Sequence, residues 1–349
     1  MSTTTYRVGL VGYGRIAESA HLPAWQALPG VEIVAIADPC RERRDAATAA
    51  APSARAYENC VEMLRQTPVD CLDICTPPHD HTPSILAGCA AGVGQIVCEK
   101  PLAASIVDYN TIADAQAESG SQVYTINSWI QSDLHRLVTA AVAEGAIGDV
   151  RHVTLRTLRP DCALGVASWQ PRWRTDPSYA GGGIVLDHGW HQLYLMARWI
   201  GADPTSVRAH IRTVQPVHAP VEDEAELDLS FPNATGRIVL SWASSNRTND
   251  GEIVGTRGTI KIEDNQLSIR SDRGEQVVLY GERLSDSSYH PEWFQALFAK
   301  VRADVHRHEG VRNLREAEML VSTLFAAYQP ARMSAKAVPA PAHETAATA

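Results

Sequence analysis

The first third of the chain alternates short apolar runs with longer stretches of mixed polarity. The apolar runs predict strands at 6–11, 31–37, 71–75, 95–98 and 122–126. The stretches between them predict helices at 15–28, 40–51, 58–66, 81–91 and 106–119. Strands separated by helices of this length pair in parallel, with helices on both faces of the sheet. We therefore predict an α/β domain with a doubly wound parallel sheet over residues 1–127.

The pattern changes after residue 127. After a helix at 133–144, apolar and polar residues alternate with the period of half-exposed strands. This alternation predicts strands at 150–159, 207–214, 224–231, 235–242, 252–255, 259–262 and 277–280. Further helices are predicted at 183–200, 291–305 and 313–328. The sequence thus predicts a second, α+β domain over residues 128–330 with a large, mostly antiparallel open sheet.

Two expectations follow from this organisation. Residues 331–349 are rich in Ala, Pro and Thr, which is typical of a flexible tail. A sheet with helices on one side leaves its other face to be covered, and closed symmetric assemblies commonly cover such a face. We therefore expect a homodimer or a homotetramer.

Composition narrows the class of protein. Of the 349 residues, 45% are hydrophobic and 20% are charged, and the net charge is −9. This acidic balance argues against a nucleic-acid partner or an anionic membrane surface. The sequence shows neither a membrane-spanning apolar run nor a signal-peptide pattern, so we expect a cytoplasmic protein. The seven cysteines include no Cys-x-x-Cys pair, which favours buried, reduced thiols.

A glycine-rich turn joins the first strand to the first helix. Gly12 and Gly14 stand in a Gly-x-Gly-x-x-Ala pattern, and Asp38 ends the second strand. Together these are the fingerprint of a Rossmann dinucleotide-binding domain, whereas an ordinary strand–turn–helix needs no such acid. Arg15 and Ile16 open the helix on which the pyrophosphate lies. Because Asp38 repels a 2′-phosphate, we expect NAD rather than NADP.

The next two strand ends face the same crevice. We place Thr76, Pro77 and His81 at the cofactor. A metal pair formed by His79 and His81 is the alternative, but no Cys or carboxylate lies at zinc-ligand spacing, and we predict no metal site.

Lys100 follows Glu99 at the end of another strand and precedes a proline. A lysine there projects into the crevice, although most lysines are simply solvated. We assign Glu99 and Lys100 to the cofactor site, together with Asn127 at the end of the next strand.

A run of three glycines leads into Asp187 and His191, four residues apart. On one helix these two residues would share a face, and an acid beside an imidazole is typical of a general base. Three alternatives remain open: a surface salt bridge, a buried structural histidine, or a metal site that also uses His188.

Aromatic and arginine side chains flank these segments. Tryptophan faces pack against sugar rings, and guanidinium groups bind hydroxyl or phosphate oxygens. A loop pinned onto the sheet by its tryptophans would explain the same residues. The candidate substrate-binding residues are Trp129, Trp169, Arg172, Trp173 and His188.

In this order the segments resemble the family of glucose–fructose oxidoreductase, inositol dehydrogenase and rhizopine-catabolism proteins (Gfo/Idh/MocA). The similar pieces include Glu99-Lys100-Pro101 and Gly181-Gly182-Gly183-x-x-x-Asp187-x-Gly189-x-His191. The resemblance implies nicotinamide redox chemistry on sugars or cyclitols. It also implies that Lys100, Asp187 and His191 are the catalytic residues.

The sequence therefore predicts an NAD-dependent dehydrogenase. Its substrate is expected to be a secondary alcohol of a sugar, aminosugar or cyclitol, with or without a phosphate or nucleotide attached. Two alternatives are a redox-neutral glycosidase or epimerase that retains NAD, and a sugar-sensing protein without catalysis.

Overall fold

Six parallel strands form the first sheet of the computed structural model, which describes residues 5–272, 274–281, 283–286, 289–304 and 308–329. The predicted tail at 331–349 lies outside the described residues. The strands are β1 (Tyr6–Val11), β2 (Val31–Ala37), β3 (Arg55–Tyr57), β4 (Cys71–Ile74), β5 (Gln95–Cys98) and β6 (Gln122–Thr125). Across the sheet their order is β3-β2-β1-β4-β5-β6, so the chain builds one half of the sheet outward from β1 and then returns to add β4 on the other side of β1. Ligands bind at such a switch point in open α/β sheets.

Five helices connect these strands. They are α1 (Leu22–Gln26), α2 (Arg41–Ala50), α3 (Cys60–Gln66), α4 (His81–Ala90) and α5 (Ile106–Ser119). The helix predicted from residue 15 begins there and passes through a π-helical turn at Ala17–His21 before α1. The doubly wound parallel sheet predicted from the sequence is confirmed.

The second sheet has eight strands. They are β7 (Val150–Leu158), β8 (Ser206–Arg212), β9 (Glu224–Ser230), β10 (Thr235–Ser241), β11 (Thr248–Gly255), β12 (Gly258–Glu263), β13 (Gln266–Ser271) and β14 (Gly274–Leu279). Their order is β14-β13-β12-β11-β7-β10-β9-β8, and only β7 and β10 pair in parallel. The predicted large, mostly antiparallel sheet is therefore confirmed.

Six further helices lie in the part of the chain that the structure describes. They are α6 (Asp133–Ala143), α7 (Pro177–Ala180), α8 (Ile184–Asp187), α9 (Gly189–Ile200), α10 (Pro291–Ala303) and α11 (His308–Ala327). Helix α9 is buried on almost every side and packs against β7 and β10. Within the described residues, no helix is long and apolar enough to cross a membrane.

Helices α10 and α11 return to the first sheet. The indole of Trp25 stacks on Phe298 of α10 with ring centroids 4.1 Å apart. The side-chain oxygen of Asn313 in α11 accepts a 2.7 Å hydrogen bond from the backbone of Thr125. These contacts tie the end of the described chain to the parallel sheet and fix the two sheets relative to each other.

Two strands were missed by the sequence reasoning. Strand β3 is a three-residue edge strand, too short to show a period. Strand β13 buries only Leu267 and Ile269 and follows the turn-forming pair Asp264-Asn265, so its alternation is brief. All seven cysteines are free thiols, as predicted, and all but Cys40 are buried.

Candidate functional site

A cleft of about 510 Å³ lies along the carboxyl ends of the parallel strands, between the two sheets. Its walls come from the Gly12 turn, the ends of β4 and β5, the segment 163–191 and the start of α10. The volume is that of a small-molecule site. Residues distant in sequence therefore meet around one space.

The glycine turn forms the cofactor end of the cleft. Gly12 has a positive φ of 84°, and a side chain there would lie 3.0 Å from the backbone nitrogen of Thr76. At Gly14 a side chain would meet no protein atom within 4 Å, so backbone is exposed to the cleft. Both carboxylate oxygens of Asp38 accept backbone hydrogen bonds, from Tyr13 (2.7 Å) and Cys40 (2.8 Å). Asp38 is thus held rigidly at the cleft wall.

The structure brings most of the predicted cofactor residues together. Those that line the cleft are Gly12, Gly14, Arg15, Ile16, Asp38, Thr76, Pro77, Glu99 and Lys100. The buried hydroxyl of Thr76 has no hydrogen-bond partner among the described residues, which leaves a polar group for a ligand. This open glycine turn, rigid acid and orphan hydroxyl fit a dinucleotide.

Two predicted cofactor residues do not line the cleft. The imidazole of His81 is buried and lies 2.8 Å from the carbonyl oxygens of both Thr76 and Pro101. It therefore links two strand-end loops. Asn127 accepts a 2.9 Å hydrogen bond from the indole of Trp190 and belongs to the core. The contacts of both residues are structural, and their assignment to the cofactor stays a prediction.

Lys100 and Asp187 meet across the cleft. The ammonium Nζ of Lys100 donates to the Asp187 carboxylate at 2.6 Å and to its main-chain oxygen at 2.9 Å. Burial would raise the pKa of Asp187, but the charge of Lys100 holds it well below its ordinary value. The pair is therefore ionised, and it fixes the position of the ammonium group.

His191 is a buried, neutral imidazole beside this pair. Burial, and then the charge of Lys100, hold the pKa of His191 well below its ordinary value. Trp129 stacks on the ring with centroids 4.5 Å apart and planes at 4°. The buried Nδ1 of His191 has no partner among the described residues. The ring is therefore held in position and uncharged.

The expected contact between Asp187 and His191 is not formed. Asp187 ends α8 and His191 belongs to α9, so the two residues do not share one continuous helix. The main-chain oxygen of Asp187 accepts from Lys100, although a continuous helix would use it for its own hydrogen bonds. Asp187 therefore orients Lys100. The ring of His191 is oriented by Trp129 and not, as predicted, by Asp187.

Most of the predicted substrate-binding residues line the cleft, and one does not. Trp129, Trp169, Trp173 and His188 line the cleft. Arg172 does not, because its guanidinium turns to Asp161, 3.7 Å away. Its neighbour Arg174 lines the cleft instead, over the ring of Trp173 and 3.9 Å from Asp187.

Several cleft residues were missed by the sequence reasoning. They are Arg159, Trp242, Tyr289, His290, Trp293 and Phe294. A signal existed for the first two, since both directly follow strands of the second sheet. Because β7 and β10 pair in parallel, their carboxyl ends lie together, and Arg159 donates its backbone N–H to Ser241 at 2.8 Å.

A buried polar cluster stands behind Glu99. His21 lies between two carboxylates, with Nδ1 2.9 Å from Asp73 and Nε2 2.9 Å from Glu99. The other Glu99 oxygen accepts the backbone N–H of Lys100 at 3.1 Å. The cluster thus supports the segment that carries Lys100.

Comparison with known proteins matches both parts of the chain to one family. Residues 6–127 match the profile described as "Oxidoreductase family, NAD-binding Rossmann fold", GFO_IDH_MocA. Residues 135–261 match the GFO/IDH/MocA C-terminal domain.

Individual relatives are more distant. The chain is 28% identical to a D-apiose dehydrogenase of Paraburkholderia graminis over 289 residues, 79% of this chain and 74% of the relative. It is 27% identical to an inositol 2-dehydrogenase of Rubrobacter xylanophilus over 265 residues, 73% of this chain and 70% of the relative. A crystal structure of levoglucosan dehydrogenase with NADH and levoglucosan has the same fold. It has a TM-score of 0.78 at 22% identity, with 95% of this chain and 98% of that chain covered.

Proposed function

Since the chain belongs to the GFO/IDH/MocA family of NAD-binding oxidoreductases, we propose that it oxidises a secondary alcohol of a sugar, aminosugar or cyclitol. The observation that carries the proposal is the meeting of Lys100, held by Asp187, with the neutral His191 in the same cleft as the glycine turn. The relatives named for dehydrogenation of apiose and inositol support this substrate class.

Three side chains carry the proposed chemistry. The Gly12–Gly14 turn and Asp38 would hold NAD, which would supply the hydride acceptor. The neutral imidazole of His191 takes the hydroxyl proton as a general base. The ammonium of Lys100 donates a hydrogen bond to the same oxygen and stabilises its developing negative charge. Asp187 keeps that ammonium in place, and the tryptophan faces pack against the C–H surface of the ring.

Net formation of NADH tests this proposal. The chain is incubated with NAD and a panel of sugars, aminosugars and cyclitols, and the absorbance of NADH is followed. Continuous formation of NADH supports a dehydrogenase. Conversion of substrate without net NADH would instead indicate a redox-neutral enzyme that retains its cofactor. Binding of sugars without any conversion would indicate a sensor.

NAD is the proposed cofactor in preference to NADP. The carboxylate of Asp38 is fixed by two backbone N–H groups and would repel a 2′-phosphate. Arg41, the residue that could clamp such a phosphate, has a side chain that is 88% exposed. We expect kcat/KM to be about tenfold or more higher with NAD, the effect of a single unfavourable charge contact.

Steady-state kinetics with both cofactors measure this preference. The Asp38→Ser variant should reduce it, whereas Asp114→Ser, at an exposed position of α5, should leave it unchanged. An equal or higher kcat/KM with NADP in the parent chain would contradict the assignment.

We also propose that the chain forms a homodimer or a homotetramer. Among the described residues, no helix covers the outer face of the second sheet, which carries cross-strand ion pairs such as those of Arg237 with Glu226 and Asp228. A copy related by two-fold symmetry would cover this face with the same patch. Light scattering at micromolar concentration should report a dimer or tetramer, and ionic strength should weaken the assembly. A monomer at every salt concentration would refute this proposal.

A further inference from the structure

Arg159 is a buried guanidinium in the cleft wall. The residue is 5% exposed and directly follows β7. Its Nη1 donates to the carbonyl oxygens of Leu158 (2.8 Å) and Thr248 (2.9 Å), and its Nη2 donates to the amide oxygen of Asn249 (2.9 Å). All three acceptors are neutral. Among the described residues, no carboxylate lies within 4 Å of this guanidinium.

One edge of this guanidinium remains available. Nη1 uses both of its hydrogens, whereas Nη2 uses one, and Nε donates to none of the described residues. The free N–H groups of Nε and Nη2 lie side by side. This is the edge that binds a carboxylate or a phosphate through two parallel hydrogen bonds.

Positive charge exceeds negative charge at this end of the cleft. Lys100 and Arg174 share the single carboxylate of Asp187, at 2.6 Å and 3.9 Å. Burial lowers the pKa of His188 to about 3, so this imidazole is uncharged at neutral pH. Burial also lowers the pKa of Arg159 to about 10, which leaves it charged at neutral pH.

The carboxylate of Asp264 does not neutralise this excess of positive charge. Asp264 acts on Arg159 electrostatically, but its oxygens accept from Arg283 at 2.7 Å and from Ser285 at 2.5 Å. A buried charge without an ionic partner is costly to keep. Asp187 and Asp264 thus act on Arg159 only from a distance, and among the described residues no carboxylate pairs with it directly.

Arg159 lines the same cleft as the surface expected to bind the ring, and its charge acts on His188. Trp242 follows β10, the parallel neighbour of β7, and lines the same cleft. Its indole Nε1 lies 3.3 Å from the imidazole of His188, which in turn lies 3.3 Å from Asp187. Arg159 is thus next to the groups that surround the proposed reacting oxygen.

We propose that Arg159 binds an anionic group of the substrate, a carboxylate or a phosphate, so that the substrate is a sugar or cyclitol acid or phosphate ester. This inference rests on the proposed function and narrows its substrate class. The pyrophosphate of the cofactor is not the anion in question, because the glycine turn holds it at the other end of the cleft. Neutral polyols lack the charge that this wall is built to receive.

Matched triads of ligands test the proposal. Glucose, glucuronate and glucose 6-phosphate, with the corresponding galactose series, are compared as substrates with NAD. We expect kcat/KM for one anionic class to exceed that for its neutral partner by a factor of about 100, the effect of a charge-assisted bidentate contact. The arm that responds, acid or ester, identifies the anion.

Substitution of Arg159 provides the second arm. Arg159→Met should remove the preference by raising KM for the anionic member at least tenfold, with little change for the neutral one. Arg159→Lys keeps the charge but cannot form two parallel hydrogen bonds, so its preference for the anionic substrate should be intermediate. This variant also covers the case in which Arg159→Met fails to fold. Arg156→Met is the matched control, since that arginine is half-exposed on the outer face of the same strand.

Binding is read independently of turnover. In the presence of NAD, the anionic ligands should raise the melting temperature of the parent chain and should not raise that of Arg159→Met. If no ligand is oxidised but this shift is seen, the proposed reaction fails and the anion site stands. If neutral sugars are oxidised as well as their acids and esters, or the shift survives in Arg159→Met, the anion site is refuted.

Discussion

Replacing Lys100 with methionine should lower kcat by a factor of about 100 or more, the usual effect of removing one electrostatic contact to a developing oxyanion. Methionine keeps the length of the side chain and removes its donor. The ammonium group is already held at 2.6 Å by Asp187, so the enzyme spends no reorganisation on placing it. The same reasoning applies to His191→Ala, which removes the neutral imidazole that lines the cleft and is stacked on Trp129.

The measurement separates catalysis from binding and folding. Single-turnover rates are compared with the NAD dissociation constant, taken from fluorescence quenching, and with the melting temperature. Both variants should retain NAD affinity, because Gly12, Gly14 and Asp38 are untouched. Lys261→Met is the control, since that lysine lies exposed on the outer face of the second sheet beside Glu263. A variant of Lys100 or His191 that keeps more than about a tenth of the parental rate rules out the role proposed for it.

The cofactor end of the cleft could be predicted from sequence because its signal is local. Gly12, Gly14 and Asp38 lie on two consecutive strands of a βαβ unit, so their spacing fixes their relative positions. The parallel sheet followed from the same alternation of strand and helix. The missed edge strand β3 matters at this end as well, because the residues that follow it, Glu58 to Val61, line the cleft and the carbonyl oxygen of Tyr57 accepts the backbone N–H of Asp38.

The substrate end could not be predicted in the same detail because it depends on long-range packing. A spacing of four residues suggested that Asp187 touches His191. In the structure the helix breaks after α8, and the Asp187 carboxylate pairs with Lys100, which is distant in sequence. The choice between Arg172 and Arg174 depended on where Asp161 lies. Arg159 became visible only through the parallel pairing of β7 with β10. Individual contacts of this kind have no periodic signature.

His21→Leu should lower the free energy of unfolding by about 3–5 kcal/mol, the cost of leaving buried charges without their partner. The imidazole is fully buried, and its two nitrogens lie 2.9 Å from the carboxylates of Asp73 and Glu99. Without it, the Asp73 carboxylate keeps the indole N–H of Trp25 (2.7 Å) and the weak thiol donor of Cys75 (3.7 Å). Because Glu99 accepts the backbone N–H of Lys100, we also expect kcat to fall by several-fold.

The loss should depend on pH in a defined direction. Burial alone would lower the pKa of His21, but the Asp73 carboxylate raises it well above its ordinary value in the folded chain. The folded state therefore binds this proton more tightly than the unfolded state, whose histidine titrates near about 6.5. The stabilisation is complete below that pH and is lost as the pH rises through the folded-state pKa. Urea unfolding across this range should accordingly show the parent chain and His21→Leu converging in stability at alkaline pH, with exposed His210→Leu as control. A difference that is constant or grows with pH would show that His21 is neutral in the fold and that its contribution is packing against Phe294 and Phe298.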